Sequence, residues 1–340
     1  MMEKRVKIGI NGFGRIGRMI LRAYFENKTK YDKIEVSYIN DLSDIRTNIH
    51  LLKYDSVHGR IGRDIQETAN GISIDGQEIS MISESNPENL EWNSREVDIV
   101  LECSGRFTKR SDAAGHLKAG AKRVLVSAPS EGADFTVIYG INHTGMKREH
   151  EVISNGSCTT NCLAPIAQLI DEHFGIEYGF MTTVHAFTGD QRLVDTVHKD
   201  LRRARSAPLS MIPSTTGAAK TLGLVLPNLT GRLDGAAIRV PTANVSMIDL
   251  KCTISKAADR GTINDLARKA SRDRYDGILG YCDEPLVSAD FNHSTMSSVF
   301  DATGTVILGN HFCRVVSWYD NEFGFSNRML DVAQYLSTGS

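Results

Sequence analysis

Val6-Lys7-Ile8-Gly9-Ile10-Asn11-Gly12-Phe13-Gly14-Arg15-Ile16-Gly17-Arg18-Met19-Ile20 is the stretch that decides the fold. Val6, Ile8 and Ile10 alternate with Lys7 and Gly9, which is the period of a strand, and Asn11-Gly12 breaks the run. Ile16, Met19, Ile20 and Ala23 then recur at helical spacing and give one apolar face. Gly12, Gly14 and Gly17 form a G-x-G-x-x-G at the junction. An ordinary tight strand–helix turn carries such glycines too. Here the setting suits a dinucleotide, because glycines let backbone N–H groups approach a pyrophosphate at the positive end of a helix. The next strand, around Val36, Tyr38 and Ile39, ends at Asp41, 24 residues past Gly17, where an acidic residue pairs with a ribose hydroxyl. A carboxylate there repels a 2′-phosphate by about 4 kcal/mol per unit charge at 4 Å and an effective dielectric of 20. NAD is therefore preferred over NADP.

The pattern continues downstream. Val97 to Cys103 is an apolar strand, Ala113 to Leu117 a short helix closed by Gly120, and Val124 to Val126 a further strand. Near-continuous apolar strands alternating with helices predict a parallel sheet covered on both faces. After about Ser157 the texture changes to a helix from Cys158 to about His173, then a long polar stretch from Phe187 to Pro213. Loops of that length are usually functional or lie at interfaces. Strand patterns follow at Ala237–Val240, Val245–Ile254, and Val306–Ile307 paired with Cys313–Ser317 across Leu308-Gly309-Asn310. The last segment, Asn327 to Leu336, reads as an amphipathic helix.

With 340 residues the chain has room for two domains. An apolar fraction of 41% and 39 basic against 41 acidic residues argue against disorder and against a general pull toward nucleic acid or anionic membrane. No apolar run approaches the ~18–20 residues a membrane span requires. Met1 to Lys7 is charged and enters a strand directly, so no leader peptide is expected. Six cysteines are too sparse for a disulfide scaffold, which points to a reduced, cytoplasmic protein.

The second informative stretch is Ser154-Asn155-Gly156-Ser157-Cys158-Thr159-Thr160-Asn161-Cys162. Ser157 is a natural N-cap and puts Cys158 in the first turn of a helix, where the thiolate is favoured. Cys162, one turn on and nearer Ile166, is expected to be less reactive. Two core cysteines on a buried helix is the competing reading, set against the polar Ser, Thr and Asn around Cys158. No further Cys or His pair has the spacing of metal ligands, so no metal is expected. His185, at the end of a strand that enters the long loop, is the candidate base, although its spacing alone does not pair it with Cys158.

Six motifs in order resemble phosphorylating glyceraldehyde-3-phosphate dehydrogenases: Ile10–Arg18, Leu52–Ser56, Ser157–Asn161, Thr216–Lys220, Arg239–Thr242 and Trp318–Glu322. The resemblance runs from about Lys7 to Leu336. It implies an α/β fold: an N-terminal Rossmann NAD-binding domain with a parallel sheet and an α+β catalytic domain with a largely antiparallel or mixed sheet. The first domain would span residues 1–157, completed by a C-terminal helix, 321–340, and the second 158–320. The implied reaction is oxidation and phosphorylation of D-glyceraldehyde 3-phosphate to 1,3-bisphosphoglycerate, through a hemithioacetal and a thioester on Cys158 with His185 as base. Thr188 and Arg239 match residues that hold the substrate's phosphate. Ser157, Thr159, Arg203, Thr216 and Gly217 match the pocket for inorganic phosphate. Arg15 and Ile16 match backbone contacts to the pyrophosphate, Asp41 the adenosine ribose, and Ser127 and Asn321 the nicotinamide side. The family being homotetrameric, the basic run Lys199 to Arg205 falls in a loop at a subunit interface rather than on a solvated face.

Three departures stand out. Ser85 replaces an Arg common beside the adenine, Thr196-Val197 replaces Leu-Pro near the adenosine, and Phe323-Gly324-Phe325 replaces Thr-Gly-Tyr. Erythrose-4-phosphate dehydrogenase, with the same fold and thiol, is the nearest alternative, opposed by Thr188 and the Thr216–Lys220 string. A thiol hydrolase or acyltransferase would have no use for the Gly12–Gly17 turn, and a non-catalytic redox-sensing module none for Cys158, His185 and Arg239 together.

Overall fold

The computed structural model describes residues 5–338; residues 1–4 of the expected first domain and 339–340 of the expected last segment lie outside them. The chain divides into two compact units, one of residues up to Gly156 together with those from Ser326, the other Ser157–Phe325.

The first unit opens as strand β1 (Val6–Asn11), helix α1 (Arg15–Glu26), strand β2 (Ile34–Asn40) and helix α2 (Ile45–Lys53). Strands β3 (Ile65–Thr68), β4 (Gly71–Ile74), β5 (Gln77–Ile82), β6 (Ile99–Glu102), β7 (Arg123–Val126), β8 (Phe135–Thr136) and β9 (Val152–Ser154) follow. They join β1 and β2 in one sheet ordered β8-β9-β7-β6-β1-β2-β5-β4-β3. From β8 to β5 every pair is parallel, as the apolar runs predict; β5-β4-β3 is an antiparallel meander that the sequence reading does not contain. The strand expected over Val97–Cys103 is paired only over Ile99–Glu102, and the short helix after it is two single turns, Arg110–Ala113 and Gly115–Lys118. In register, Asn40, Asn11 and Glu102 stand side by side at the carboxyl ends of β2, β1 and β6.

The second unit starts with helix α3 (Cys158–Phe174), which runs on through Pro165, and then strand β10 (Ile176–Ala186). After the long loop come β11 (Ile212–Thr215), helix α4 (Ala218–Val225), β12 (Leu233–Val240), β13 (Ser246–Ile254), helix α5 (Arg260–Arg272), β14 (Leu279–Cys282), β15 (Ser298–Leu308) and β16 (Phe312–Tyr319). The sheet order is β11-β12-β10-β13-β16-β15-β14. It is mixed: β10 with β12 and β14 with β15 are parallel, and the remaining neighbours antiparallel.

Helix α6 (Phe323–Ser337) begins in the second unit and ends in the first. It is not amphipathic as expected. Ser326, Asn327, Arg328 and Asp331 are buried with Met329, Leu330, Val332 and Ala333. Its polar side chains satisfy one another and the first unit. Arg328 pairs with Asp331 at 2.7 Å, and Asp331 also receives Lys30 at 2.7 Å and the Tyr31 hydroxyl at 3.2 Å. Among the described residues no helix is long and apolar enough to cross a membrane.

Candidate active site

In the first unit, the carboxyl ends of β1, β2 and β6 open into a cleft of about 290 Å³ lined by Gly12, Gly14, Asp41, Ser43, Ser85 and Arg106, among others. Gly12 is left-handed (φ +90°), and a Cβ on it would lie 2.5 Å from the Ser104 backbone. A Cβ on Gly17 would run into the Gly12 carbonyl oxygen, so helix and strand can meet this closely only with hydrogen there. Gly14 caps α1 without a side-chain bond, and a Cβ on it would meet nothing within 4 Å. The α1 N-terminus at Arg15 and Ile16 thus faces open space. The Arg15 side chain is turned aside to Asp55, whose carboxyl is partly buried yet held down at about 2, largely by that guanidinium. Asp41 receives the N–H of Phe13 at 2.8 Å on one oxygen and that of Ser43 at 2.9 Å on the other. Burial disfavours its charge, but these donors hold it below the ordinary carboxylate range. A backbone cradle beside a fixed carboxylate fits a dinucleotide. Ser127 follows β7 in the same unit, its N–H donating to the Glu102 carbonyl at 3.0 Å.

In the second unit, Ser157 caps α3, its hydroxyl accepting the N–H of Thr160 at 3.1 Å, so Cys158 is the first residue of a 17-residue helix. The Cys158 Sγ lies 3.6 Å from His185 Nε2. His185 ends β10, and the parallel register sets it directly beside Arg239 on β12. Its Nδ1 lies 2.7 Å from the Ala186 carbonyl oxygen, an acceptor, so Nδ1 carries the proton and Nε2 turns a lone pair to the thiol. Burial, then the Arg239 charge, lower His185 to about 3. Burial also pushes the Cys158 thiol up, against the pull of Arg239. Cys162 is buried against the Ser298 hydroxyl at 3.4 Å and pushed up to about 12, as its apolar surroundings predict.

Arg239 Nη1 is 3.3 Å from both the Thr188 hydroxyl and His185 Nδ1, and its Nε is buried without a partner. Arg203 donates to Asp190 at 2.7 Å and to the Ser214 hydroxyl at 2.6 and 3.0 Å. Ser214 lies two residues before Thr216, whose hydroxyl accepts the Ala218 N–H at 3.2 Å; Gly217 caps α4. The structure therefore gathers Cys158, His185, Thr188 and Arg239, with the charge of Arg203 near enough to act on His185. The Thr159 hydroxyl points elsewhere, to the Tyr319 hydroxyl at 2.9 Å. Asn321 is tied in through Ser246, whose hydroxyl donates to Asn321 Oδ1 at 2.8 Å and accepts the Ala186 N–H at 3.0 Å.

Sequence reasoning missed Tyr319, Ser246 and Asp190. Tyr319 is buried, bonds to both Thr159 and Thr183, and sets its ring edge-on to His185 at 5.9 Å. No spacing rule reaches partners 160 and 136 positions away. Phe323, in the departing Phe323-Gly324-Phe325, stacks on His293 at 3.6 Å between ring centres.

Residues 6–110 match the NAD binding domain of glyceraldehyde 3-phosphate dehydrogenase, and residues 157–321 match its C-terminal domain. Among curated relatives, the glyceraldehyde-3-phosphate dehydrogenase of Xanthobacter flavus is 54% identical over 96% of this chain and 97% of its own length. That of Geobacillus stearothermophilus is 52% identical over 98% of each, and that of Pseudomonas aeruginosa 49% identical over 98% of each.

Proposed function

Since the chain belongs to the glyceraldehyde-3-phosphate dehydrogenase family, as an NAD-dependent oxidoreductase of glycolysis, we propose that its chemistry runs through Cys158 with His185 as base. The observation that carries this is the line from Cys158 Sγ to His185 Nε2 to the Ala186 carbonyl, which leaves a basic nitrogen facing the thiol. As the sulfur attacks the aldehyde carbon of glyceraldehyde 3-phosphate, its proton passes to Nε2 and from there to the carbonyl oxygen, so that a hemithioacetal forms and His185 is neutral again. Arg239 and Thr188 hold the substrate's phosphate and so bring the carbonyl to the sulfur. NAD, when bound, accepts the hydride released from that carbon. His185 takes the hydroxyl proton, leaving a thioester on Cys158. Inorganic phosphate, held by Ser157, the Thr159 backbone, Arg203, Thr216 and Gly217, attacks the thioester carbonyl, and the sulfur leaves with 1,3-bisphosphoglycerate released. Gly12, Gly14, Gly17 and the Arg15–Ile16 backbone take the pyrophosphate, Asp41 the ribose, and Ser127 and Asn321 the nicotinamide end.

Cys158→Ser should abolish NADH formation from glyceraldehyde 3-phosphate. Without phosphate or arsenate the unaltered enzyme should release one NADH per thiol and stall; sustained turnover would rule out the phosphorylating route. A homotetramer is the assembly we propose, supported by the loop at 187–213. There Leu193, Val194, Val197, Leu201, Leu209 and Met211 are each at least 70% exposed, more apolar surface than a lone chain carries comfortably in water. Sedimentation equilibrium checks it. All six cysteines are free thiols, which supports a reducing cytoplasmic setting.

A further inference from the structure

Three strands of the first unit end in a row of buried polar side chains that the reaction above does not use. Asn40, Asn11 and Glu102 stand in register across β2, β1 and β6 and are 4%, 3% and 1% exposed. Behind Glu102 lie His116 and Trp92, both fully buried. The Trp92 indole N–H donates to His116 Nδ1 at 3.1 Å. A neutral imidazole has one N–H, so His116 must carry its proton on Nε2, and Nε2 lies 2.9 Å from a Glu102 oxygen. The same oxygen accepts the Asn11 side-chain amide. The other Glu102 oxygen accepts the backbone N–H of Ser104 at 2.7 Å and the Ser104 hydroxyl.

Glu102 is thus surrounded by four donors, and these come from three parts of the cleft's frame or support, His116, Asn11 and Ser104. With its amide nitrogen held by Glu102, Asn11 must present Oδ1 to the Asn40 amide, which donates to it at 2.7 Å. Asn40 then clasps Glu84 from both sides, donating to the Glu84 carbonyl at 2.8 Å and accepting the Glu84 N–H at 2.9 Å. The next residues after these anchors are Gly12, Asp41 and Ser85, all lining the cleft. Ser104 lines it too, and its backbone is what Gly12 packs against.

We infer that Glu102, oriented by the Trp92–His116 pair, is a positioning residue of the dinucleotide cleft: one buried carboxylate sets the direction of every hydrogen bond from His116 to Glu84. The amide orientations of Asn11 and Asn40 follow from it, and with them the placement of the cradle, the Asp41 carboxylate and the Ser85 wall. The inference rests on the reading of this cleft as the NAD site.

The test is Glu102→Gln, which keeps the shape but puts an N–H2 where two of the four donors converge. With Trp92 locking the His116 proton on Nε2, no tautomer can accept from the new amide. We expect at least a tenfold rise in the dissociation constants of both NAD and ADP-ribose, and in KM for NAD. The kcat at saturating NAD and the rate of Cys158 alkylation by iodoacetamide should hold within twofold. Adding Trp92→Phe frees His116 to move its proton to Nδ1 and accept from the amide, so the double variant should bind NAD no more weakly than Glu102→Gln. Unchanged NAD affinity in Glu102→Gln overturns the inference, as does NAD binding by the double variant that is weaker than that of Glu102→Gln. Asp41→Ala is the control for the cleft itself. If neither Asp41→Ala nor Glu102→Gln affects NAD binding, the NAD-site reading fails; if only Asp41→Ala does, that reading stands and the positioning role fails.

Discussion

A histidine whose imidazole is held neutral down to about pH 3 by burial and a neighbouring guanidinium costs the fold stability in acid. The unfolded chain protonates His185 as pH falls through about 6.5, whereas the folded chain waits until about 3. Between those values the unfolded state binds the extra proton, so stability falls by about 1.4 kcal/mol for each pH unit lost. His185→Asn should remove that one-proton slope, read as the pH dependence of urea unfolding between pH 4 and 6, and should also slow Cys158 alkylation at neutral pH. An unchanged slope would mean that His185 titrates alike in both states. Cys158 itself was legible because a Ser N-cap is a local event. The burial that pushes its thiol up was not, since that depends on how elements distant in sequence pack around it.

At the scale of elements the glycine turn makes the sharpest demand. Gly12→Ala sets a methyl group against the Ser104 backbone at a left-handed φ, so we expect loss of NAD binding together with a lower melting temperature for the first unit. Gly14→Ala meets open space and should fold as the unaltered chain does, so any loss of NAD affinity it causes reports the ligand's own need for room. Thermal melts and NAD titration of the pair separate the two effects. The β1–α1–β2 unit was readable because strand alternation, turn and helical period follow one another without interruption. The β3–β5 meander was not. Its strands are four to six residues long and carry Gln66, Glu67, Gln77 and Glu78, so charge and turn residues mask the alternation. The last helix misled in the opposite way. Its polar residues suggested a solvent face, but Arg328 and Asp331 neutralise each other inside the core.

For the molecule as a whole, Asp331 of that pair is where the last helix is fastened to Lys30 and Tyr31 of the first unit. Asp331→Ala would leave the Arg328 charge buried without its carboxylate and strip Lys30 and Tyr31 of a partner. We expect a loss of about 3–5 kcal/mol, seen as a lower urea midpoint for NAD-cleft unfolding, with the Cys158 alkylation rate little changed. A midpoint within error of the unaltered chain would remove α6 as a fastener. Its lateness in the sequence has a further effect, on timing. A ribosome adding about 5–20 residues per second delivers Gly156 well before Ser326, and the intervening stretch takes roughly 10–35 s. Through that interval the nascent nucleotide-binding half exists without the helix that fills its core against Tyr31. It must stay soluble while the second unit is still being made, and it closes only once the residues from Ser326 have been delivered.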